Sequence, residues 1–196
     1  MPSPIAHAVS GYALSRIPLI KHRDLPPSPS PILTIYAIVI ACLPDLDFLP
    51  QILTGLRFHR GPSHSLFAAL LVSSFLAWVL HHYRRTFGQA IASAFGQFSY
   101  PALFAFTFGL YSSHLGLDLL THGGSGIPLF WPAIPQNVQL PFALFPAVHH
   151  SRGLLDSSHL VFISAELLYS LVVLIGLRLF NASSSSPSIR NPSQDS

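Results

Sequence analysis

The chain has 196 residues, half of them hydrophobic and only 9% charged, with a formal net charge of +3 and a positive mean hydropathy. That charged fraction is far below the roughly 25% of soluble globular domains, too little to cover a water-soluble fold of this size. The composition therefore indicates an all-α integral membrane helix bundle forming one compact domain. The basic residues are scattered through short loops, a pattern that fits membrane topology and excludes a nucleic-acid surface. The single cysteine, Cys42, lies in an apolar run, so a disulfide framework and a cysteine zinc site are both excluded.

Taken in chain order, residues 4–20 are a short candidate span. They would reach only about 25 Å as a helix, enough to cross with thinning of the bilayer or to lie in the interface. Their flanks lack the early basic region of a cleaved signal peptide. Residues 21–31, KHRDLPPSPSP, form a non-helical Pro/Ser turn. Segments 32–53, 64–83, 100–120 and 160–180 each approach the about 20 apolar residues that a crossing needs, giving four to five transmembrane helices. Residues 84–99 open on Arg84-Arg85 and continue as a mildly amphipathic stretch. Residues 121–159 are the longest connection, rich in Gly, Pro and aromatics suited to a membrane interface. The domain is expected to cover 1–180, and the Ser-rich segment 181–196 to be a disordered tail.

The polar residues of the spans gather at one end. CLPDLDFLP places Asp45 and Asp47 late in 32–53, with Pro44 breaking the helix so that one carboxylate is a ligand and the other supports it. RFHRGPSHS places His59 and His64 just beyond. SSHLGLDLLTHGG places His114, Asp118 and His122 four residues apart on one helical face. Alternating helices put all of these on one side, and His7 joins them if 4–20 crosses. Lys21, Arg23, Arg84, Arg85 and Arg190 fall on the opposite side, which the positive-inside rule makes cytoplasmic. Each intramembrane charge costs about 2.5–3.5 kcal/mol on insertion scales. Asp45, Asp47 and Asp118 would also repel one another, and a divalent cation relieves both penalties. Imidazole and carboxylate are the ligand types that zinc, manganese or iron accept. Without a cation, a His–Asp pair at this spacing would be a hydrogen bond in a bundle interior.

These motifs resemble the YdjM-type family of membrane-bound metal-dependent hydrolases. His7 with Gly11, PDLD, HRGPSHS, and HLGLDLLTHGG followed by PLFWP carry the resemblance over residues 1–180. The chain is also similar to zinc-dependent phospholipases C in its His-x-x-x-Asp, but shows no later His-x-x-x-Glu. The resemblance implies His7, Asp45, His59, His64, His114 and Asp118 as metal ligands, with Asp47 and His122 as further members of the set.

The expected function is metal-dependent hydrolysis at the non-cytoplasmic membrane face, with one or two divalent ions, zinc foremost, activating water. Asp45, Asp47 and Asp118 are the candidate catalytic carboxylates. Arg57 and Arg60 would clamp a phosphoryl oxygen or anchor the interface. The apolar 127–148 loop would admit an acyl chain, so the expected partners are membrane lipid and a lipid or phosphoester substrate. Two other classes remain open at this stage. A metal-ion transporter needs a polar path through cytoplasmic halves that read as apolar, PALFAFTF and LVVLIGL. A structural or interaction protein would close its metal site with protein ligands, whereas an enzyme keeps a position open.

Overall fold

The computed structural model describes residues 4–17, 30–54, 60–121, 125–146 and 158–184. Its helices are α1 (Pro4–Arg16), α2 (Pro31–Cys42), α3 (Phe48–Thr54), α4 (Leu66–Tyr83), α5 (Gln89–Phe95), α6 (Tyr100–Leu119) and α7 (Ser158–Ser184). Tighter 3-10 turns at Leu43–Asp47 and Pro62–His64 join α2 to α3 and lead into α4. Extended pairing among the described residues is limited to the isolated bridges Thr121↔Phe145 and Ile127↔Val138.

Local chemistry sets the helix starts. Ser30, Ser65 and Ser99 each accept a hydrogen bond from the backbone N–H three residues on. Each thereby satisfies a donor that the first helical turn leaves open. Pro31 and Pro101 sit where a missing N–H costs nothing.

The helices alternate in direction. Gly11 lies against Ala37 and Pro4 against Cys42, so α1 runs antiparallel to α2. His81 meets Tyr100 at the far end of α4 and α6, while Tyr111 reaches Ser63 toward the near end. The near end thus collects the start of α1, the end of α2, the start of α4 and the end of α6. Small residues allow close approach. Ala69, Ser73 and Ala77 form a fully buried stripe on α4, the helix that packs on α6. A Cβ on Gly11 would stand 2.6 Å from the Ala37 carbonyl oxygen and 2.9 Å from the Ala41 Cβ.

Among the described residues, three stretches are long and apolar enough to cross a membrane: Pro31–Pro50, Leu66–Tyr83 and Leu160–Ser183. Their outer faces carry exposed large apolar side chains, such as Leu70, Leu71 and Phe75 on α4 and Leu167, Leu168 and Leu171 on α7. Such a surface suits hydrocarbon rather than water.

The structure refines several sequence expectations. The 32–53 segment is not one regular helix, because Pro44 lies in a 3-10 turn between α2 and α3. The 100–120 segment forms α6 but is not among the three apolar spans, since Thr107, His114 and Asp118 occupy its buried face. At 4–20, α1 is a 13-residue helix, about 20 Å long against a hydrocarbon core of about 30 Å. It packs along α2 rather than lying on a surface. Residues 181–184 continue α7 rather than beginning a tail, and 185–196 lie outside the described residues.

Replacing Gly11 with valine is expected to force α1 away from α2 and to destabilise the bundle by about 1–3 kcal/mol. Reversible denaturation in detergent micelles checks this.

Candidate metal centre

Four separate segments deliver the polar groups. His7 comes from the first turns of α1, and Asp45 and Asp47 from the 3-10 turn after α2. Arg60 and His64 come from the turn before α4, and His114 and Asp118 from the last turns of α6. His7, His64 and His114 are fully buried and Asp118 is nearly so. Asp45 is the more open member, with its side chain 20% exposed.

The HRGPSHS stretch works residue by residue. Arg60 takes a positive φ of 62°, a conformation that costs a non-glycine residue energy. Ser63 Oγ donates to Asp47 Oδ2 at 2.7 Å. With that proton committed, His64 Nδ1–H donates to Ser63 Oγ and Asp47 Oδ2, each at 3.1 Å. Ser65 caps α4. On α6, His114 Nδ1–H donates to the Ala41 carbonyl at 2.8 Å. Both imidazoles therefore donate through Nδ1 and turn Nε2 toward the interior of the cluster.

The result is a cluster of acceptors. His64 Nε2 and His114 Nε2 stand 3.3 Å apart. Asp45 Oδ1 lies 3.6 Å from the first and 3.5 Å from the second. Asp118 Oδ2 lies 3.4 Å from His64 Nε2 and 4.0 Å from His114 Nε2. His7 stacks on His114 with ring centroids 3.7 Å apart. Asp45 Oδ1, both Asp118 carboxylate oxygens and both His7 nitrogens are buried without a hydrogen-bond partner among the described residues. Lone pairs and carboxylate oxygens packed this closely repel unless positive charge lies between them.

A divalent cation fits that requirement. Ligands about 2.0–2.2 Å from a tetrahedral ion are separated by about 3.3–3.6 Å, and the three edges of the Asp45–His64–His114 triangle match that range. Both this triad and His7, His114 and Asp118 form groups able to hold a metal ion.

The model of the YdjM inner membrane protein family matches residues 1–185. The chain belongs to that family. Neither the curated proteins nor the solved structures give a match. Family membership and the apolar helices together make this a membrane protein.

Of the residues singled out in the sequence of this YdjM-family chain, the structure brings His7, Asp45, Asp47, Arg60, His64, His114 and Asp118 together. Arg57, His59 and His122 lie outside the described residues. The two carboxylates flanking Leu46 face different ways: Asp45 faces the imidazole Nε2 atoms, while Asp47 binds the back of His64. Gly11 serves helix packing, since a Cβ there would meet the Ala37 carbonyl. Three supports were not legible in the sequence: Ser63, the Ala41 carbonyl, and Tyr111, whose hydroxyl donates to the Ser63 carbonyl at 2.7 Å. Only the position of Ser63 beside His64 offered a signal.

Because Ser63 fixes the His64 tautomer through Asp47, Ser63→Ala is expected to weaken divalent-metal affinity by about 10–100-fold with the bundle intact. Competition against a chromophoric chelator measures this.

Proposed function

We propose that this protein is a membrane-bound metal-dependent hydrolase acting at the non-cytoplasmic face, on a phosphoester carried by a lipid. The observation that carries the reading is the convergence of inward-facing Nε2 atoms and carboxylate oxygens around one partly open position. The donor set, two or more imidazoles with carboxylates, favours zinc over manganese or iron. Catalytic sites of that kind keep a position free, and the exposure of Asp45 supplies the opening.

A divalent ion bound here would supply Lewis acidity and lower the pKa of a water molecule. The chain's own residues would do the rest. His64 and His114 hold the centre rigidly, because their outer nitrogens are tied to Asp47, Ser63 and the Ala41 carbonyl. Asp45, the carboxylate nearest the opening, would hold the ion on the side from which water and substrate approach. Asp118 anchors the opposite side, and Asp47 tunes His64. The Arg60 Nε lies 3.8 Å from Asp118 Oδ2, too far for a hydrogen bond, and its Nε and one terminal nitrogen are buried without a partner among the described residues. Those donors suit a phosphoryl oxygen. By their motifs alone, His59 and His122 are assigned to the same centre and Arg57 to substrate binding.

Sidedness and substrate class rest on two further features. Arg16, Arg84, Arg85 and Arg178 lie toward the end away from the cluster, which supports a cytoplasmic position for that end. With α6 counted beside the three apolar spans, four helices would cross and α1 would line the bundle. At the cluster end, the loop after α6 is anchored by the N–H groups of Leu144 and Phe145, which both donate to the Leu120 carbonyl, and by Leu66 N–H, which donates to the Leu129 carbonyl. This loop still exposes Phe130, Trp131, Phe142 and Leu144. Such a tethered apolar rim suits a substrate delivered from the membrane interface.

Purified protein is expected to hydrolyse a phospholipid or lipid-linked phosphate in mixed micelles, with activity lost to chelation and restored by zinc. Asp118→Ala should abolish turnover while the folded protein persists; normal turnover in that variant would sink the proposal. Arg60→Ala should lower kcat/KM for a phosphoester by about 10–100-fold, the worth of hydrogen bonds to a charged group. Steady-state kinetics at saturating metal measures it.

A further inference from the structure

The two carboxylates of the cluster each divide their oxygens between two sides. Asp45 turns Oδ1 toward His64 and His114, at 3.6 and 3.5 Å, and Oδ2 toward His7 Nε2, at 4.0 Å. Asp118 turns Oδ2 toward His64 Nε2, at 3.4 Å, and Oδ1 toward His7 Nε2, at 3.7 Å. One ion beside His64 and His114 would use a single oxygen from each carboxylate. It would leave Asp118 Oδ1 and the His7 imidazole, both buried, with no hydrogen-bond partner among the described residues. Buried polar atoms are rarely left in that state, because each costs its full desolvation penalty.

His114 cannot serve both sides. Its Nδ1 is committed to the Ala41 carbonyl, and Nε2 lies closer to Asp45 Oδ1, at 3.5 Å, than to Asp118 Oδ2, at 4.0 Å. Carboxylates can serve both, since each has two oxygens. We propose that the centre is dinuclear. One divalent ion is held by His64, His114, Asp45 Oδ1 and Asp118 Oδ2. The second is held by His7 Nε2, Asp45 Oδ2 and Asp118 Oδ1, with both aspartates bridging. This rests on reading the cluster as a metal centre and adds the count and the role of α1, whose His7 supplies, among the described residues, the nitrogen of the second position. Charge balance agrees. A single divalent ion and Arg60 only neutralise Asp45, Asp47 and Asp118, whereas a second leaves surplus positive charge for an anionic phosphoester.

The test uses the full chain in detergent, stripped with chelator, loaded with Mn²⁺ and freed of excess metal. Manganese is counted by plasma mass spectrometry, and the same samples are examined by electron paramagnetic resonance. Two ions per wild-type chain are expected, with the exchange-coupled spectrum of a pair at the roughly 3.5–4 Å spacing of carboxylate-bridged sites. His7→Ala and the milder His7→Gln should each retain one ion and show the hyperfine pattern of isolated Mn²⁺. One ion per wild-type chain with an isolated-ion spectrum overturns the dinuclear assignment while leaving the metal centre standing. Two ions retained in both His7 variants overturns it as well. Absence of bound manganese in the wild type removes this proposal together with the metal-centre reading beneath it. The wild-type count and spectrum decide even if a variant fails to fold.

Discussion

Two imidazole nitrogens facing one another at 3.3 Å, each ring donating through Nδ1 on its far side, are the constraint on which the rest of this structure turns. Two neutral imidazoles so arranged would present lone pair to lone pair, with carboxylate oxygens beside them, a repulsion that a shared proton or a cation between them relieves. Water would relieve it by solvating each group separately, but His64 and His114 are fully buried. The helix bundle therefore spends packing energy to hold acceptors together, and the arrangement becomes favourable only when positive charge enters. Bound metal would thus contribute to the stability of the fold as well as to chemistry.

The packing that enforces this closeness lies in residues with no polar role. Gly11 lets α1 approach α2 until a Cβ would collide with the Ala37 carbonyl, and the same approach brings His7 onto the His114 ring. On the other side, Ala69, Ser73 and Ala77 let α4 settle against α6, with Tyr111 holding the turn that carries Ser63 and His64. The 3-10 turn around Pro44 is the third element. A regular helix would send Asp45 and Asp47 about 200° apart. In the turn, Asp45 meets the inner nitrogens of His64 and His114 while Asp47 meets the outer nitrogen of His64.

This explains what the sequence could and could not disclose. The helical class, the long apolar segments and the gathering of Asp45, His64, His114 and Asp118 at one end follow from hydropathy and from the alternation of helices, which are properties of the chain read in one dimension. The resemblance added His7, whose place depended on whether the first helix ran alongside the others. Tautomer control was hidden, because it depends on the Ala41 carbonyl meeting a side chain 73 residues away. Hydropathy also ranks α6 below the other long helices. Its polar residues face inward, so a helix central to the bundle is less apolar than those that surround it.

The same distribution favours the proposed catalysis over transport. Asp45, Asp47, Arg60, His64, His114 and Asp118 are confined to one end, and beyond them the bundle interior closes with Leu33, Ala37, Leu103, Phe106 and Leu110. The main polar contact within that described apolar layer, Tyr36 to Thr107, is a hydroxyl pair at 2.7 Å whose members satisfy each other. An ion leaving the cluster toward the far end would exchange carboxylates and imidazoles for an interior lined mainly by hydrocarbon. Asp45 is more exposed than the imidazoles it faces, so on the proposed reading a substrate approaches from that same end. A site with one wet mouth and a dry floor can bind, polarise and release a substrate from the same side, which is what hydrolysis at a membrane surface requires.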